Sequence, residues 1–219
     1  SDRVYSQYDI YYTTSPNYGA SWSNPIRLTR QLGIDDTPRL MQTQNETIWI
    51  VWVSDRMGNY ELLSQTSPDY GLTWSPIVQL TNDTNIDAAP TITQNIDGTI
   101  WLAWHRNVAG NYDIFYKTSS DYGLTWSDDT QLTTNSSADL RPSITHTHNG
   151  TIWIVWTSLR TEDYELFYKT TSNNGTTWSD DTQLTFDVDW DISPSVLQSP
   201  DGTIWVFWAS DRKAGQNEI

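Results

Sequence analysis

The chain has 219 residues, 37% of them hydrophobic, which is enough to bury the core of one all-β domain. Its formal net charge of −15 would repel a phosphate backbone and an anionic membrane surface, so nucleic acid is excluded as an expected partner. The lack of cysteine excludes disulfide bonds and thiolate metal sites, and no apolar run is long enough for membrane insertion as a helix.

An octapeptide of one pattern recurs along the chain, first as SPNYGASW at residues 15–22 and then as SPDYGLTW, SSDYGLTW and TSNNGTTW. The glycines of the four copies are 52 residues apart, at Gly19, Gly71, Gly123 and Gly175. The segments IWIVW, IWLAW, IWIVW and IWVFW keep the same spacing and begin at Ile48, Ile100, Ile152 and Ile204. A fixed period of this length indicates tandem supersecondary units.

Within one unit, turn signals separate four predicted strands. In the unit 86–133, the first strand is predicted at about Pro90–Gln94, and Asp97-Gly98 supplies the residues of a tight hairpin turn. The second strand, Thr99–Trp104, is apolar on both faces, which is typical of a strand buried on both sides. The third and fourth strands are predicted at Asp113–Thr118 and Thr125–Leu132.

Four-stranded antiparallel units that repeat in tandem cannot cover two apolar faces alone, so they stack around an axis. The predicted fold is therefore an all-β propeller of four-stranded antiparallel blades, with four 52-residue repeats in this chain. A β-sandwich is the competing all-β architecture, but it gives no reason for a constant register. The predicted units are 34–81, 86–133, 138–185 and a permuted blade made of 1–29 and 190–209.

The first ten residues, SDRVYSQYDI, correspond to the last ten, SDRKAGQNEI, so the sequence starts between the second and third strands of a unit. Two arrangements are compatible with this permutation. Outer strands from 1–29 could pair with inner strands from 190–209 and close a four-bladed ring. Alternatively, the chain is a segment of a larger ring or of a ring shared between subunits.

The octapeptides resemble the Asp-box, S-x-D-x-G-x-T-W, also called the BNR repeat, of sialidases and related propellers. An Asp or Asn side chain accepts hydrogen bonds from turn amides, the glycine takes a positive φ and the tryptophan packs between blades. These are folding roles, so the resemblance implies a fold and not an activity. The residues expected to form these structural turns are Ser15, Asn17, Gly19, Trp22, Ser67, Asp69, Gly71, Trp74, Ser119, Asp121, Gly123, Trp126, Asn173, Gly175 and Trp178.

The resemblance to sialidases implies that a catalytic site would hold three arginines, a Tyr–Glu pair and an Asp acid on the face opposite the Asp-boxes. Such a site must break the repeat, because one substrate is asymmetric. The F-R-I-P motif of that family is absent, and no dedicated carboxylate pair is identifiable, so no catalytic residue is predicted. The departures from the repeat are Arg39, His105, Arg106, Arg141, His146, His148, Glu162 and Trp190.

A carboxylate recurs at the start of each unit, at Asp35, Asp87, Asp139 and Asp191. One interpretation pairs each aspartate with an arginine of the recurring S-D-R segments and so ties blades together. The alternative is a ring of carboxylates at the channel mouth that binds a cation or a polar ligand. His146 and His148 could likewise approach one metal ion, but no third ligand is apparent, so no metal site or cofactor is predicted.

These features favour a non-catalytic extracellular β-propeller module for ligand binding, adhesion or surface assembly. One alternative is a sialidase-like glycoside hydrolase whose catalytic residues lie partly outside this sequence, and a second is a structural subunit of a filament or surface layer. The expected partner is a carbohydrate, small-molecule or protein ligand, with self-association that completes or stacks propellers. Five N-x-S/T sequons are compatible with an extracellular or cell-surface location, although no signal peptide is recognisable.

Overall fold

A computed structural model describes residues 7–186 and 188–212 of the chain. Its strands form three four-stranded antiparallel sheets, here called blades 1, 2 and 3, and two two-stranded sheets. The strands are β1 (Tyr11–Tyr12), β2 (Ile26–Arg27), β3 (Asp35–Gln42), β4 (Ile48–Ser54), β5 (Glu61–Ser67), β6 (Val78–Gln79), β7 (Ile86–Gln94), β8 (Ile100–Val108), β9 (Asn111–Ser119), β10 (Thr130–Gln131), β11 (Asp139–His146), β12 (Ile152–Thr161), β13 (Asp163–Thr171), β14 (Thr182–Gln183), β15 (Asp191–Gln198) and β16 (Ile204–Ser210). Blade 1 is β3–β6, blade 2 is β7–β10 and blade 3 is β11–β14, whereas β1–β2 precede them and β15–β16 follow.

The blades pack face to face in chain order. The first strands of successive sheets, β3, β7, β11 and β15, each contact the next one. The second strands of blades 1, 2 and 3 are buried on both faces, and in β8 the segment from Ile100 to Trp104 has no exposed surface. This agrees with the apolar pattern on both faces of the predicted second strand, because each face meets a different sheet.

The permuted blade is not formed as one sheet in the described residues. Strands β1 and β2 pair with each other, β15 and β16 pair with each other, and the two pairs belong to separate sheets. The pair β1–β2 instead lies against blade 1, where Ile10 joins a buried cluster with Ile50, Trp52 and Leu63.

The first strands are longer than predicted because each contains a β-bulge. In β7 the register shifts between Ala88 and Thr91, so the strand begins at Ile86 and not at Pro90. The residue before each repeating proline takes a left-handed conformation, with φ of 51° at Ala89 and 52° at Arg141. A bulge allows the strand to continue past a proline, which has no N–H for the ladder.

The fourth strands are shorter than predicted. In blade 2 only Thr130–Gln131 pairs as β10, whereas Thr125–Leu132 was the expected strand. The Asp-box turn extends further along the chain, because the N–H of Ser127 donates to the Thr118 carbonyl at 2.8 Å and its Oγ accepts from the Thr118 N–H at 3.0 Å. These local bonds replace the start of the strand ladder.

The antiparallel order places two kinds of connection on opposite faces. The Asp-box turns between third and fourth strands share one face with the hairpins at 43–47, 95–99, 147–151 and 199–203, and this is called the Asp-box face. The connections between second and third strands and those between sheets lie on the opposite face. No helix of the described residues is long and apolar enough to cross a membrane.

Candidate functional site

The Asp-box turns have one hydrogen-bond network. In the copy of blade 1, the N–H of Gly71 donates to Ser67 Oγ at 2.7 Å, and the N–H of Thr73 donates to Asp69 Oδ1 at 2.8 Å. Hydrogen bonds from Thr73 lower the pKa of Asp69, since they favour the ionised carboxylate. Gly71 has φ of 88°, where a β-carbon would be strained.

The copies that carry asparagine form the same turn. The N–H of Thr177 donates to Asn173 Oδ1 at 3.0 Å, and Asn173 Nδ2 donates to Thr177 Oγ1 at 2.8 Å. In the first copy, the N–H of Ser21 donates to Asn17 Oδ1 at 2.9 Å. All four motifs therefore make turn contacts within the chain, and their polar groups are used by the fold.

The repeating aspartates are buried inside their own sheets. In blade 2, Asp87 Oδ1 accepts from Trp104 Nε1 at 2.8 Å and from Arg106 Nε at 2.7 Å. The same contacts recur in the other blades, with Trp52 and Arg56 on Asp35 and with Trp156 and Arg160 on Asp139. Asp191 is likewise paired with Arg212.

This geometry supports the interpretation of Asp–Arg pairs, with one change. Each pair joins the first strand of a sheet to the residues at the end of its second strand, so it ties one sheet together and not two neighbouring blades. Burial raises the pKa of Asp87 and of Asp139, against the opposing effect of their arginines and hydrogen bonds.

A cation ring at a channel mouth finds no support in this arrangement. The carboxylates of Asp35, Asp87, Asp139 and Asp191 have at most 1% of their surface exposed and already face an arginine. Within residues 7–186 and 188–212, no three His, Cys, Asp or Glu side chains are placed to share a metal ion. His146 also has a partner within the fold, because its Nδ1 lies 3.2 Å from Thr93 Oγ1 of the preceding blade.

The side chain of His105 packs in the interface between blades 2 and 3, on the face opposite the Asp-boxes. Its Nδ1 accepts from the backbone N–H of Arg141 at 3.1 Å, and its ring meets Tyr112 edge-on with centroids 5.2 Å apart. Burial, reinforced by the charge of Arg141, lowers the pKa of His105 to about 4. The imidazole is therefore a neutral packing group at pH 7.

The next interface on that face contains a pocket instead. A cavity of about 220 Å³ lies between blade 3 and the sheet β15–β16. Trp190 and Tyr164 form an aromatic corner, with rings edge to face and centroids 5.3 Å apart. The residues lining the cavity are Leu140, Arg141, Thr157, Tyr164, Trp190 and Ile192.

The pocket exists because two positions depart from the repeat. Thr157 occupies the position of His105 in the preceding blade, and the smaller side chain leaves the space open. Trp190 occupies the position of Ala138 and adds a wall that the preceding interface lacks. The N–H of Ser193 donates to Thr157 Oγ1 at 3.1 Å, just as the N–H of Arg141 donates to His105.

Arg141 gives the pocket its one cationic group. Its backbone is held in the left-handed bulge, and its Nη1 donates to Ser193 Oγ at 2.9 Å. The guanidinium has further N–H donors for a ligand, because the bond to Ser193 uses only one of its N–H groups. Half of the Trp190 surface is exposed, so the indole is available for contact.

The sequence identified two of these residues, Arg141 and Trp190, as departures from the repeat, and the structure brings them together. The other departures are elsewhere: Arg106 is paired with Asp87, and Arg39 bonds the carbonyl of Pro38. Tyr164 and Thr157 were not anticipated. The signal for Thr157 was present in the sequence as a threonine aligned with His105 and Val53.

Residues 35–215 match the family described as BNR repeat-like domain. A search for similar sequences among curated proteins found no match. Solved structures match the fold at low sequence identity. A protein of unknown function from Dyadobacter fermentans has a TM-score of 0.69 and 17% identity over 84% of this chain and 63% of its own.

Two further structures are enzymes by their descriptions. The α-L-arabinanase of Penicillium chrysogenum, complexed with arabinobiose, has a TM-score of 0.68 and 17% identity over 96% of this chain and 72% of its own. The NanB sialidase of Streptococcus pneumoniae has a TM-score of 0.65 and 16% identity over 90% of this chain and 32% of its own. The chain thus spans less than two thirds of the Dyadobacter protein and about a third of NanB, and these likenesses establish an all-β, sialidase-like propeller fold.

Proposed function

Because the chain belongs to the family of BNR repeat-like domains, we propose that it is a non-catalytic propeller module that binds a carbohydrate in the pocket of Arg141, Tyr164 and Trp190. The observation that carries this proposal is the aromatic corner beside a single arginine, on the face opposite the Asp-box turns. An extracellular or cell-surface location accompanies the proposal, and the five N-x-S/T sequons are compatible with it.

A sugar ring fits the chemistry of the pocket. The apolar faces of pyranose and furanose rings pack on exposed aromatic rings, and Trp190 and Tyr164 supply two such surfaces at right angles. The free donors of Arg141 can bind ring hydroxyls, because a guanidinium presents several N–H groups in one plane. The net charge of −15 disfavours an anionic ligand at long range, so a neutral glycan is the preferred class.

The lining supports binding without hydrolysis. Glycosidases place two carboxyl groups on either side of the scissile bond, about 5 to 10 Å apart. None of the six lining residues is an aspartate or a glutamate. The nearest repeating carboxylates in sequence, Asp139 and Asp191, are buried and paired with Arg160 and Arg212, which leaves them unsuited to protonate a leaving group.

The alternative enzyme is a sialidase-like glycoside hydrolase with part of its site outside this sequence. It draws on the two enzymes among the structural relatives, one of which is described with arabinobiose bound. A fluorogenic sialoside and an arabinofuranoside, assayed on the full-length protein, separate the two proposals. Turnover that is abolished by Arg141→Ala would favour the enzyme.

Binding is tested with a glycan array probed by the wild-type chain and by Trp190→Ala. The module proposal expects a neutral glycan to bind the wild type and to bind the variant at least tenfold more weakly. Trp22→Ala is the matched control, because Trp22 is 62% exposed and lies in an Asp-box turn on the other face. Equal loss of signal in both variants, or no loss in either, would contradict the pocket assignment.

Adhesion and surface assembly are the broader roles that such a module would serve. A structural subunit of a filament or layer remains the second alternative, and it needs no ligand in the pocket. Electron microscopy of the purified chain distinguishes it, because ordered filaments or sheets would form without added glycan.

A further inference from the structure

Two buried carboxyl groups lie close together at each of two successive junctions between blades. One belongs to an acid near the start of a third strand, and the other is the repeating aspartate of the next blade. Between blades 1 and 2 they are Glu61 and Asp87, which are 1% and 0% exposed. Between blades 2 and 3 they are Asp113 and Asp139, at 4% and 0%. Two ionised carboxylates buried together repel each other, so such a pair favours the uptake of one proton.

The hydroxyl of Thr81 connects the two carboxyl groups of the first pair. Its Oγ1 accepts from the N–H of Leu62 at 2.9 Å and lies 2.5 Å from Glu61 Oε2. The same hydroxyl forms a hydrogen bond with Asp87. A threonine hydroxyl has one proton and two lone pairs, so it can donate to only one of two ionised carboxylates. A proton on Glu61 completes the set, because Glu61 then donates to Thr81 and Thr81 donates to Asp87.

The junction of blades 2 and 3 repeats this bridge. Thr133 Oγ1 accepts from the N–H of Ile114 at 2.9 Å and lies 3.4 Å from Asp113 Oδ1. A hydrogen bond also joins Thr133 to Asp139. The third strand supplies a glutamate at one junction and an aspartate at the other, so the bridge follows the repeat position and does not depend on the length of the acid.

The sheet β1–β2 balances the corresponding acid with a cation. Asp9 aligns with Glu61, and Arg27 Nη2 lies 2.6 Å from Asp9 Oδ2. The residue that aligns with Arg27 in blade 1 is Gln79, and glutamine recurs at this position in blades 2 and 3. The first repeat therefore supplies an arginine where the blades supply a neutral amide, and a proton can take the place of that missing positive charge.

The cations that face the two junctions each contact at least one aspartate. These contacts are Arg106 with Asp83, Asp87 and Asp129, Lys117 with Asp129, Arg160 with Asp139 and Asp181, and Lys169 with Asp181. Neutral donors complete the surroundings of the two third-strand acids, and they are Asn59 Nδ2 and the N–H of Asp83 for Glu61 and the amides of Asn111 and Gln131 for Asp113. Carboxyl groups thus outnumber cations in both sets.

The titration of these acids agrees with the geometry. Burial raises the pKa of Glu61, and the charge of Asp87 adds to this effect. Burial likewise raises the pKa of Asp113, with a further contribution from Asp139. A carboxyl group whose pKa is raised by folding stabilises the folded state most at a pH below its unfolded pKa. That stabilisation is lost as the pH rises through the folded pKa.

We propose that the junctions between blades 1 and 2 and between blades 2 and 3 each hold a proton between two carboxyl groups, so that acid stabilises the stack of blades. The proton lies on Glu61 and on Asp113. Their partners Asp87 and Asp139 each accept hydrogen bonds from an arginine and a tryptophan, which favour the ionised carboxylate. The propeller thus has a pH-sensitive contact built into two of its interfaces.

Glu61→Gln tests the proposal, because an amide has the shape of a protonated carboxyl group and keeps an N–H for Thr81. Urea denaturation of the chain and of the variant is compared at about pH 4 and at about pH 7. The difference in urea midpoint, variant minus wild type, should increase by at least about 0.3 M from the lower pH to the higher. The effect of His105 on stability is common to both proteins and cancels in this difference. A difference that stays constant or decreases would overturn the proposal.

Carbon-13 NMR of the chain labelled in its five glutamates detects the proton directly. The signal of Glu61 is identified by its loss in Glu61→Gln, and its titration midpoint should lie above the ordinary pKa of a glutamate. Gln79→Arg copies the first repeat and should lower that midpoint by about one pH unit or more. The signal of Glu46, in a hairpin on the Asp-box face, is the control and should not differ between the two proteins. A midpoint of Glu61 that is not raised in the wild type, or is unchanged in folded Gln79→Arg, would contradict the proposal.

Discussion

Replacing Gly123 by alanine probes how closely the Asp-box of one blade approaches the blade before it. Gly123 has φ of 82°, and a β-carbon at this position would lie 2.1 Å from Cη2 and 2.5 Å from Cζ2 of Trp49. Trp49 is 4% exposed and belongs to the core cluster that joins blades 1 and 2, so its ring has little room to move. Gly71 is the matched control, with φ of 88° and a nearest neighbour, Tyr12 Cε2, at 3.6 Å.

The two substitutions share one cost and differ in another. An alanine in the left-handed region costs about 1 kcal/mol at either position. At Gly123 the new methyl group also displaces a buried indole, and overpacking of a core adds about 1–3 kcal/mol. We therefore expect Gly71→Ala to lower the free energy of unfolding by about 1 kcal/mol, and Gly123→Ala to lower it by about 2–4 kcal/mol.

Urea denaturation followed by tryptophan fluorescence measures both values, and equal slopes with denaturant would show that the same structure unfolds in each variant. Gly175→Ala should fall between the two, since its β-carbon would lie 3.0 Å from Trp101 Cη2. If Gly71→Ala and Gly123→Ala agree within about 0.5 kcal/mol, the close contact between the Asp-box of blade 2 and Trp49 is not present in solution.

Three other changes test the ion pairs, the buried histidine and the pocket. Asp35→Ala should lower the free energy of unfolding by about 3–5 kcal/mol, because Arg56 keeps only neutral hydrogen-bond partners, Ser54 Oγ and Gln31 Oε1. In urea melts it should cost more than Asp87→Ala, because Arg106 retains two other aspartates. Burial lowers the pKa of His105 to about 4, so the folded state loses up to about 3 kcal/mol of stability as the pH falls from about 6.5 to 4. His105→Gln should flatten that part of the curve of unfolding free energy against pH. An unchanged curve would be evidence against a buried neutral ring. Thr157→His copies blade 2 into blade 3 and should abolish glycan binding while the melting temperature stays the same or rises, whereas retained binding would place the ligand elsewhere.

The 52-residue period was sufficient to predict the three four-stranded blades, the order of their strands and the Asp-box turns. The apolar pattern on both faces of Ile100–Trp104 identified the buried second strand, because only stacking on two sides explains it. The bulge before Pro90 could not be predicted in the same way. It depends on which N–H groups face a neighbouring strand, and a proline alone does not reveal that register.

The pocket of Arg141 shows why the candidate site was only partly predictable. Arg141 and Trp190 could be identified from the sequence because they differ from the residues at the equivalent positions of the other repeats. Thr157 could not, because a small polar residue in a strand is unremarkable by itself. Its importance follows from the imidazole ring that it replaces, and that contact is visible only when His105 is seen packed in the adjacent interface.

Titration of the full-length protein with a neutral glycan selected on the array, followed by chromatography of the recovered ligand, tests the proposed function most sharply. A non-catalytic carbohydrate-binding module should show one site per chain, binding that is lost in Trp190→Ala and retained in Trp22→Ala, and a glycan that is recovered unchanged. Cleavage of the recovered glycan, or equal binding by Trp190→Ala, would contradict a non-catalytic module that binds its ligand in this pocket.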